Sequence, residues 1–318
     1  MSDPPTVPRR TLVGTAFDVS ALGFDLDARG LGPPSSDERT AALLRRARSL
    51  GISTFRIPTG AGSLRVERLL AASFPKRDPR IVTIEARSFS ELATETAHEG
   101  GRSLDPDFEA RVRSSLAGSG ARLVGSGHRI LEWRGEPTED RPSSGVDAVL
   151  DGLRSDGVVE AIARPLPDPS DPAEGPSNGT APSIWTGSLS LLETESLPQL
   201  RDRASRRPLG FLNLDPFAGG RLDGSRFGAT VRERRPDAPP PTVRELHREF
   251  DPVLRLGFLT RSRQRTLAQA SLQFLYHWPW VTTVLVPVPS AERLLELVEA
   301  SIRPPLTDAE VEQIVGAA

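Results

Sequence analysis

The sequence predicts a single (β/α)8 barrel, on three observations. Short β-branched stretches alternate with helical patterns, which argues for a parallel sheet. Eight such units fit into the 318 residues, as a closed barrel requires. No Gly-rich dinucleotide fingerprint follows the first strand, which weighs against an open doubly wound sheet.

Residues 1–10, "MSDPPTVPRR", read as a Pro-rich disordered arm, and residues 11–318 as one domain. "TLVGTAFDVSALGF" reads as a small β-hairpin leading into a first strand. "SSDERTAALLRRARSLG" (35–51) has a Ser before an acidic first turn, apolar Ala41, Leu44 and Ala47, and Gly51 as its stop, so a helix is predicted. "ISTFRI" (52–57) is the second strand, "LRVERLLAASF" the next helix and "RIVTIEA" (80–86) a third, buried strand. "DPDFEARVRSSLAG" (105–118) reads as a helix with Pro at its first position and Gly at its end. "HRILEW" (128–133) follows as strand four, "GVDAVLDGLRSDG" as a helix ending in Gly157, and "VVEAIA" (158–163) as strand five. After a Pro-, Ser- and Gly-rich loop (165–182) come "SIWTGSL", then "PLGFLNL" (208–214) as strand seven. A long loop with "RRPDAPPPT" (234–242), the helix "SRQRTLAQASLQFLYHW" and the strand "VTTVLVPV" (281–288) complete the set. Both Pro-rich stretches follow strands, so they belong at the C-terminal mouth, where barrels carry function.

Composition excludes several chemistries. Absence of Cys removes disulfides, thiolate metal sites and Cys nucleophiles. The 40 basic and 42 acidic residues nearly cancel, so no whole-protein field attracts nucleic acid or an anionic membrane. His98, His128, His247 and His277 form no metal-ligand spacing, and no metal is expected. The runs "RDRASRR" (201–207) and "RSRQR" (261–265) have no interleaved aromatics and read as solvated faces. Lys76 is the one Lys and Tyr276 the one Tyr, an Arg-for-Lys bias that fits a GC-rich bacterial genome. A cytoplasmic protein is expected, since no run of about 18 apolar residues occurs.

Five strings occur in an order and spacing that resemble the aldo-keto reductase superfamily: "ALLRRARSLGISTF", "AVLDGLRSDGVVEAIA", "DPFAGGRL" (215–222), "LAQASLQFLYHWPWVTTVLVPVPSAERLLELVEA" (267–300) and "PPLTDAEVEQI" (304–314). The resemblance covers roughly residues 11–315. It implies a barrel with an N-terminal hairpin, and hydride transfer from NADPH to a carbonyl. That chemistry uses a Tyr as proton donor, a Lys and an Asp that lower its pKa, and a His that orients the carbonyl. A phenol near pKa 10 needs such neighbours to act as an acid at neutral pH.

Carried onto this sequence, the Asp position falls on Arg56, the Tyr position on Ala61, the Lys position on Ala86 with Arg87 as the neighbouring alternative, and the His position on Trp133. His128 opens its strand and so lies at the wrong end to substitute. The family's cofactor contacts read Arg164, Pro165 and Leu166 after strand five, Leu214 at the nicotinamide-stacking position, Pro289 for the phosphate-binding Arg, and Leu297 for an Asn, while Glu296 persists. Scaffold residues Gly51, Gly62, Glu67, Gly157, Pro216, Gly219 and Gly220 persist as well.

These positions imply a degenerate member, a pseudoenzyme without the tetrad and without NADPH, that binds a protein partner or a small ligand. The alternatives are a non-redox enzyme reusing the barrel mouth with Arg56, Glu85, Glu132 or Asp215, and a residual NADPH-dependent oxidoreductase. Arg56, Arg87 and Arg164 come from strand ends, so a mouth lined by them with Trp133 and Asp215 would suit an anionic ligand. The opposing expectation is that Glu85, Glu132 and Asp215 pair with these cations and fill the space.

Overall fold

The computed structural model describes residues 5–26, 31, 33–60, 62–88, 92, 107–123, 125–134, 143–167, 183–225, 243–261 and 264–316. Strand β1 (Arg9–Thr11) pairs antiparallel with β2 (Asp18–Ser20), with Arg9 opposite Ser20 and Thr11 opposite Asp18. This hairpin closes the base of the barrel by pushing Leu12, Phe17 and Val19 up into its interior. It also corrects the expected disordered arm from Val7 onward; residues 1–4 of that arm lie outside the described residues. Arg9 and Arg10 are part of β1, and Val7 is buried, its N–H donating to Leu50 O at 2.9 Å. Gly51 makes that approach practicable: its φ is +91°, and a Cβ there would lie 3.0 Å from the backbone of Val7.

The barrel is a closed ring of eight parallel strands in sequence order. They are β3 (Leu22–Asp25), β4 (Thr54–Ile57), β5 (Val82–Ser88), β6 (His128–Arg134), β7 (Ala161–Pro165), β8 (Ser183–Gly187), β9 (Leu209–Asn213) and β10 (Val281–Pro287). Val284 pairs with Leu22 to close the ring. Strand β7 starts three residues later than "VVEAIA" suggests, because the turn around Gly157 (φ +69°) uses those residues to leave the preceding helix.

The outer layer comprises α1 (Asp37–Ser49), α2 (Ser63–Ser73), α3 (Phe108–Arg122), α4 (Ser143–Ser155), α5 (Leu197–Arg206), α6 (Val243–Arg255), α7 (Leu267–Tyr276), α8 (Ala291–Ile302) and α9 (Asp308–Val315). Gly118 does not end α3; the helix runs on to Arg122. Thr266 with Gln269 and Thr307 with Glu310 form capping boxes that fix the starts of α7 and α9. No helix among the described residues is long and apolar enough to cross a membrane.

Alternation along the strands decides which residues face the site, because successive side chains point to opposite sides of a strand. Val82, Ile84, Ile130, Ala161, Ala163, Ile184, Leu212 and Leu285 fill the interior. Phe55, Ile57, Leu131, Trp133, Trp185 and Phe211 pack outward, under the helices.

Candidate functional site

At the C-terminal mouth the inward register continues from those core residues. On β4, Phe55 and Ile57 point outward, so Arg56 between them points in. On β6, Ile130 is interior and Leu131 and Trp133 are exterior, so Glu132 points in, level with Ala86 of β5. Arg56 Nε donates to Glu132 Oε2 at 2.5 Å, and its Nη1 donates to Asp25 Oδ1 and Oδ2 at 3.0 and 3.1 Å. Thr186 Oγ1 donates to Glu132 Oε1 at 3.3 Å, and Arg134 Nε lies 3.5 Å from the same oxygen. Glu132 is fully buried, Arg56 nearly so, and the Asp25 side chain keeps 21% of its surface. Burial alone would pull the Arg56 guanidinium pKa down; Glu132 first and then Asp25 outweigh it and hold the pKa above its ordinary value.

The other residues proposed for the mouth lie elsewhere. Arg87 and Trp133 are one residue past the inward positions, so they leave through the barrel wall. Arg87 donates to Glu85 Oε2 at 3.2 Å and to Ser115 Oγ at 3.2 Å, and sits 3.8 Å from Glu67. Glu85 also accepts from Arg129 at 2.6 and 3.0 Å, so it is an outer-layer residue and no mouth carboxylate. Trp133 packs edge-on to Phe108 at 5.8 Å, beneath α3 and α4. Arg164 is likewise outward and pairs with Asp147 of α4. The expected convergence of three guanidinium groups beside an indole is therefore replaced by one guanidinium held between two carboxylates.

At the rim beyond β9, Leu214 packs over the barrel core. Asp215 adopts φ +43° and accepts from Gly219 N–H at 2.8 and 3.0 Å, so it does not pair with Arg56. Burial pushes its pKa up, opposed chiefly by the Gly219 N–H, and burial together with Asp215 pushes Glu193 up as well. Arg221 donates to Glu193 at 2.8 Å.

The positions matched to cofactor contacts separate too. Pro165 is exposed, Leu166 and Pro289 are half-buried, and Leu297 is buried in the packing of α8 against the barrel. Arg293, in the first turn of α8, donates to Glu296 at 2.9 Å and to Asp223 O at 2.6 Å, joining the β9 loop to that helix. Ala61 lies outside the described residues. His128 opens β6 at the base, stacked on Phe17 at 4.2 Å. Tyr276 is buried, donates to Ala21 O at 3.1 Å, and burial pushes its pKa up.

Reading by residue type missed Asp25, Thr186 and Arg134; it placed Trp133 at the β6 position matched to the family's His, while naming Glu132 as a mouth carboxylate that could pair with the cations, as it does with Arg56. The signal for Glu132 was present: phasing the strand on Ile130 gives the inward position directly. Nothing in the sequence flags Asp25, whose role depends on β3 lying beside β4 with Asp25 level with Arg56.

No model of a known protein family matches the sequence, and no curated protein sequence does. Solved structures do match across nearly the whole chain. A thermostable aldo-keto reductase in complex with the inhibitor epalrestat superposes with a TM-score of 0.72 at 14% identity, covering 98% of this chain and 100% of that one. The holo form of an aldo-keto reductase from Bacillus halodurans gives 0.68 at 19%, covering 98% and 96%. An aldo/keto reductase from Klebsiella pneumoniae in complex with NADP and acetate gives 0.68 at 14%, covering 97% and 95%. The chain has the aldo-keto reductase fold, the barrel with an N-terminal hairpin that the sequence predicts.

Proposed function

We propose that this chain, built on the aldo-keto reductase fold, is a pseudoenzyme for hydride transfer and acts by binding a protein partner or a small ligand. One observation carries the reading: the Arg56 guanidinium occupies the mouth, paired with Glu132 and Asp25, with Ala86 level with Glu132. Reduction of a carbonyl needs an acid that delivers a proton to the forming alkoxide. Arg56 stays protonated throughout the accessible pH range, and Ala86 has no titratable group. Tyr276 is spent on the Ala21 carbonyl in the core. Leu214, Pro289 and Leu297 offer neither the stacking nor the polar contacts expected for NADPH.

A non-redox enzyme is the second reading, favoured by the partly exposed Asp25 carboxylate at the mouth. The Arg-for-Lys bias supports a bacterial protein, and a cytoplasmic location is checked by cell fractionation.

The deciding experiment is a fluorescence titration with NADPH joined to a turnover assay on a panel of aldehydes and ketones. The reading expects no saturable binding below millimolar NADPH and no turnover. Micromolar binding with turnover would establish a reductase instead.

A further inference from the structure

We propose that the N-terminal face of the barrel, between α5 and the start of β10, binds single-stranded nucleic acid. This surface lies at the opposite end from the mouth, so the inference stands apart from the function proposed there. The basic run 201–207 has no aromatic residue within it, but the fold brings two tryptophans to it from more than seventy positions away. Trp278 and Trp280 occupy the turn entering β10, where Trp280 O accepts from Phe211 N–H at 2.8 Å. Their rings stack at 5.7 Å with an interplanar angle of 23°. Arg201 reaches from α5 over Trp278, 5.5 Å from the ring centroid. Both rings are half-buried and retain accessible surface, while Pro279 between them is exposed. Trp278 Nε1 is buried without a hydrogen-bond partner among the described residues, so what the indole offers a ligand is its ring surface and not its N–H.

Charge favours an anion. Arg201 and Arg206 are exposed on α5 and Arg207 follows, while Arg10 reaches the same end through Val281 O. Against them stand Asp202, in an exposed pair with Arg206 at 3.0 Å, and Asp308 near His277. The patch is thus net positive in a chain of net charge −2. A guanidinium on an indole is an arrangement that a base can extend or replace, because every base offers a π-face. Residues 201–206 span about 7.5 Å of helix axis at 1.5 Å per residue, and Arg207 extends beyond the helix end, which is room for more than one phosphate, so a strand fits better than a mononucleotide. A duplex hides its base faces and cannot use the tryptophans.

The test is fluorescence anisotropy with a labelled oligothymidylate of about 20 nucleotides, long enough to cover several stacking and phosphate contacts. Micromolar binding is expected at low salt, with log affinity falling against log salt at a slope of about −2 to −3 if three or four phosphates are neutralised. The double variant Arg201→Glu with Arg207→Glu should weaken binding by roughly tenfold or more and leave the melting temperature unchanged, whereas Arg45→Glu on α1 should bind as the parent does. An abasic strand of equal length should bind markedly more weakly, and thymidine monophosphate should compete only poorly. Absence of binding at low salt, equal binding of the abasic strand, equal competition by the mononucleotide, or indifference to the charge reversal would each overturn the proposal.

Discussion

Arg56 Nε lies 2.5 Å from Glu132 Oε2, joining β4 to β6 across the intervening strand. β5 lies between them, with Ile84 level with Arg56 and the small Ala86 level with Glu132, and the small residue leaves room for the guanidinium to cross. With Asp25 on the other side, one cation bridges two carboxylates, one of which has no contact with solvent. The group is expensive to form and more expensive to break.

Removing the guanidinium is therefore expected to destabilise the fold. Arg56→Ala should cost about 3–5 kcal/mol, since the buried Glu132 loses its 2.5 Å partner and keeps only the more distant, half-exposed Arg134, while Asp25 loses the same cation. Pairing it with Glu132→Gln should recover a large part of that loss, because the buried charge goes as well. Phosphate or citrate should leave the melting temperature of the parent unchanged, as the cation already has its partners. A strong anion-dependent increase that disappears in Arg56→Ala would mean that the mouth is a ligand site.

If the chain is a pseudoenzyme as proposed, putting one family residue back should not produce reduction. Ala61→Tyr alone adds a phenol without the neighbours that lower its pKa, so turnover with NADPH should stay at background. The same result is expected for Ala61→Tyr with Ala86→Lys, because Arg56 would still place a cation where the lysine amine must sit. Aldehyde-dependent NADPH oxidation by either variant would show that the mouth retains more of the machinery than its strand ends suggest.

The barrel was legible because its signals are local and repeat: the Ala41–Leu44–Ala47 face, the β-branched runs of β5 and β10, and glycines such as Gly51 and Gly157 that end helices at positive φ. Helices α5 and α6 were less so: α5 is short and rich in charge, and Pro252 lies inside α6. The mouth was half legible. Arg56 could be placed from its motif, but Trp133 and Glu132 are adjacent, and a slip of one residue exchanges the interior of a barrel for its outer layer. Asp25 depends on the register between strands about thirty residues apart, which no local pattern encodes.

That slip can be tested through Trp133. Because it packs against Phe108 beneath α3 and α4, Trp133→Ala should cost about 3–5 kcal/mol as a core truncation. It should leave the mouth alone, so the Arg56→Ala and Trp133→Ala losses should be nearly additive. Strong coupling between the two would place the indole back at the mouth.

The last prediction concerns Asp215, which the backbone holds at φ +43° with its carboxylate half-buried near Glu193 and Asp223, and with Arg221 and the Gly219 and Phe217 N–H groups in compensation. Burial raises its folded pKa above the unfolded value near 3.9. The folded state thus favours the protonated form, so the stability this group contributes is present below about pH 4 and is lost as pH rises through the folded pKa. Asn tolerates positive φ, and its amide oxygen still accepts from Gly219. Asp215→Asn should therefore raise the melting temperature at neutral pH by on the order of 1–3 °C, the scale of a change below about 1 kcal/mol in a domain this size. It should also lower the pKa of Glu193, whose carboxylate loses a like-charged neighbour. The gain should shrink as pH falls toward 4, where parent and variant carry the same charge at this position. A variant less stable than the parent at pH 7, or a gain that grows on acidification, would show that the Asp215 carboxylate is paired in the folded protein by a cation stronger than Arg221.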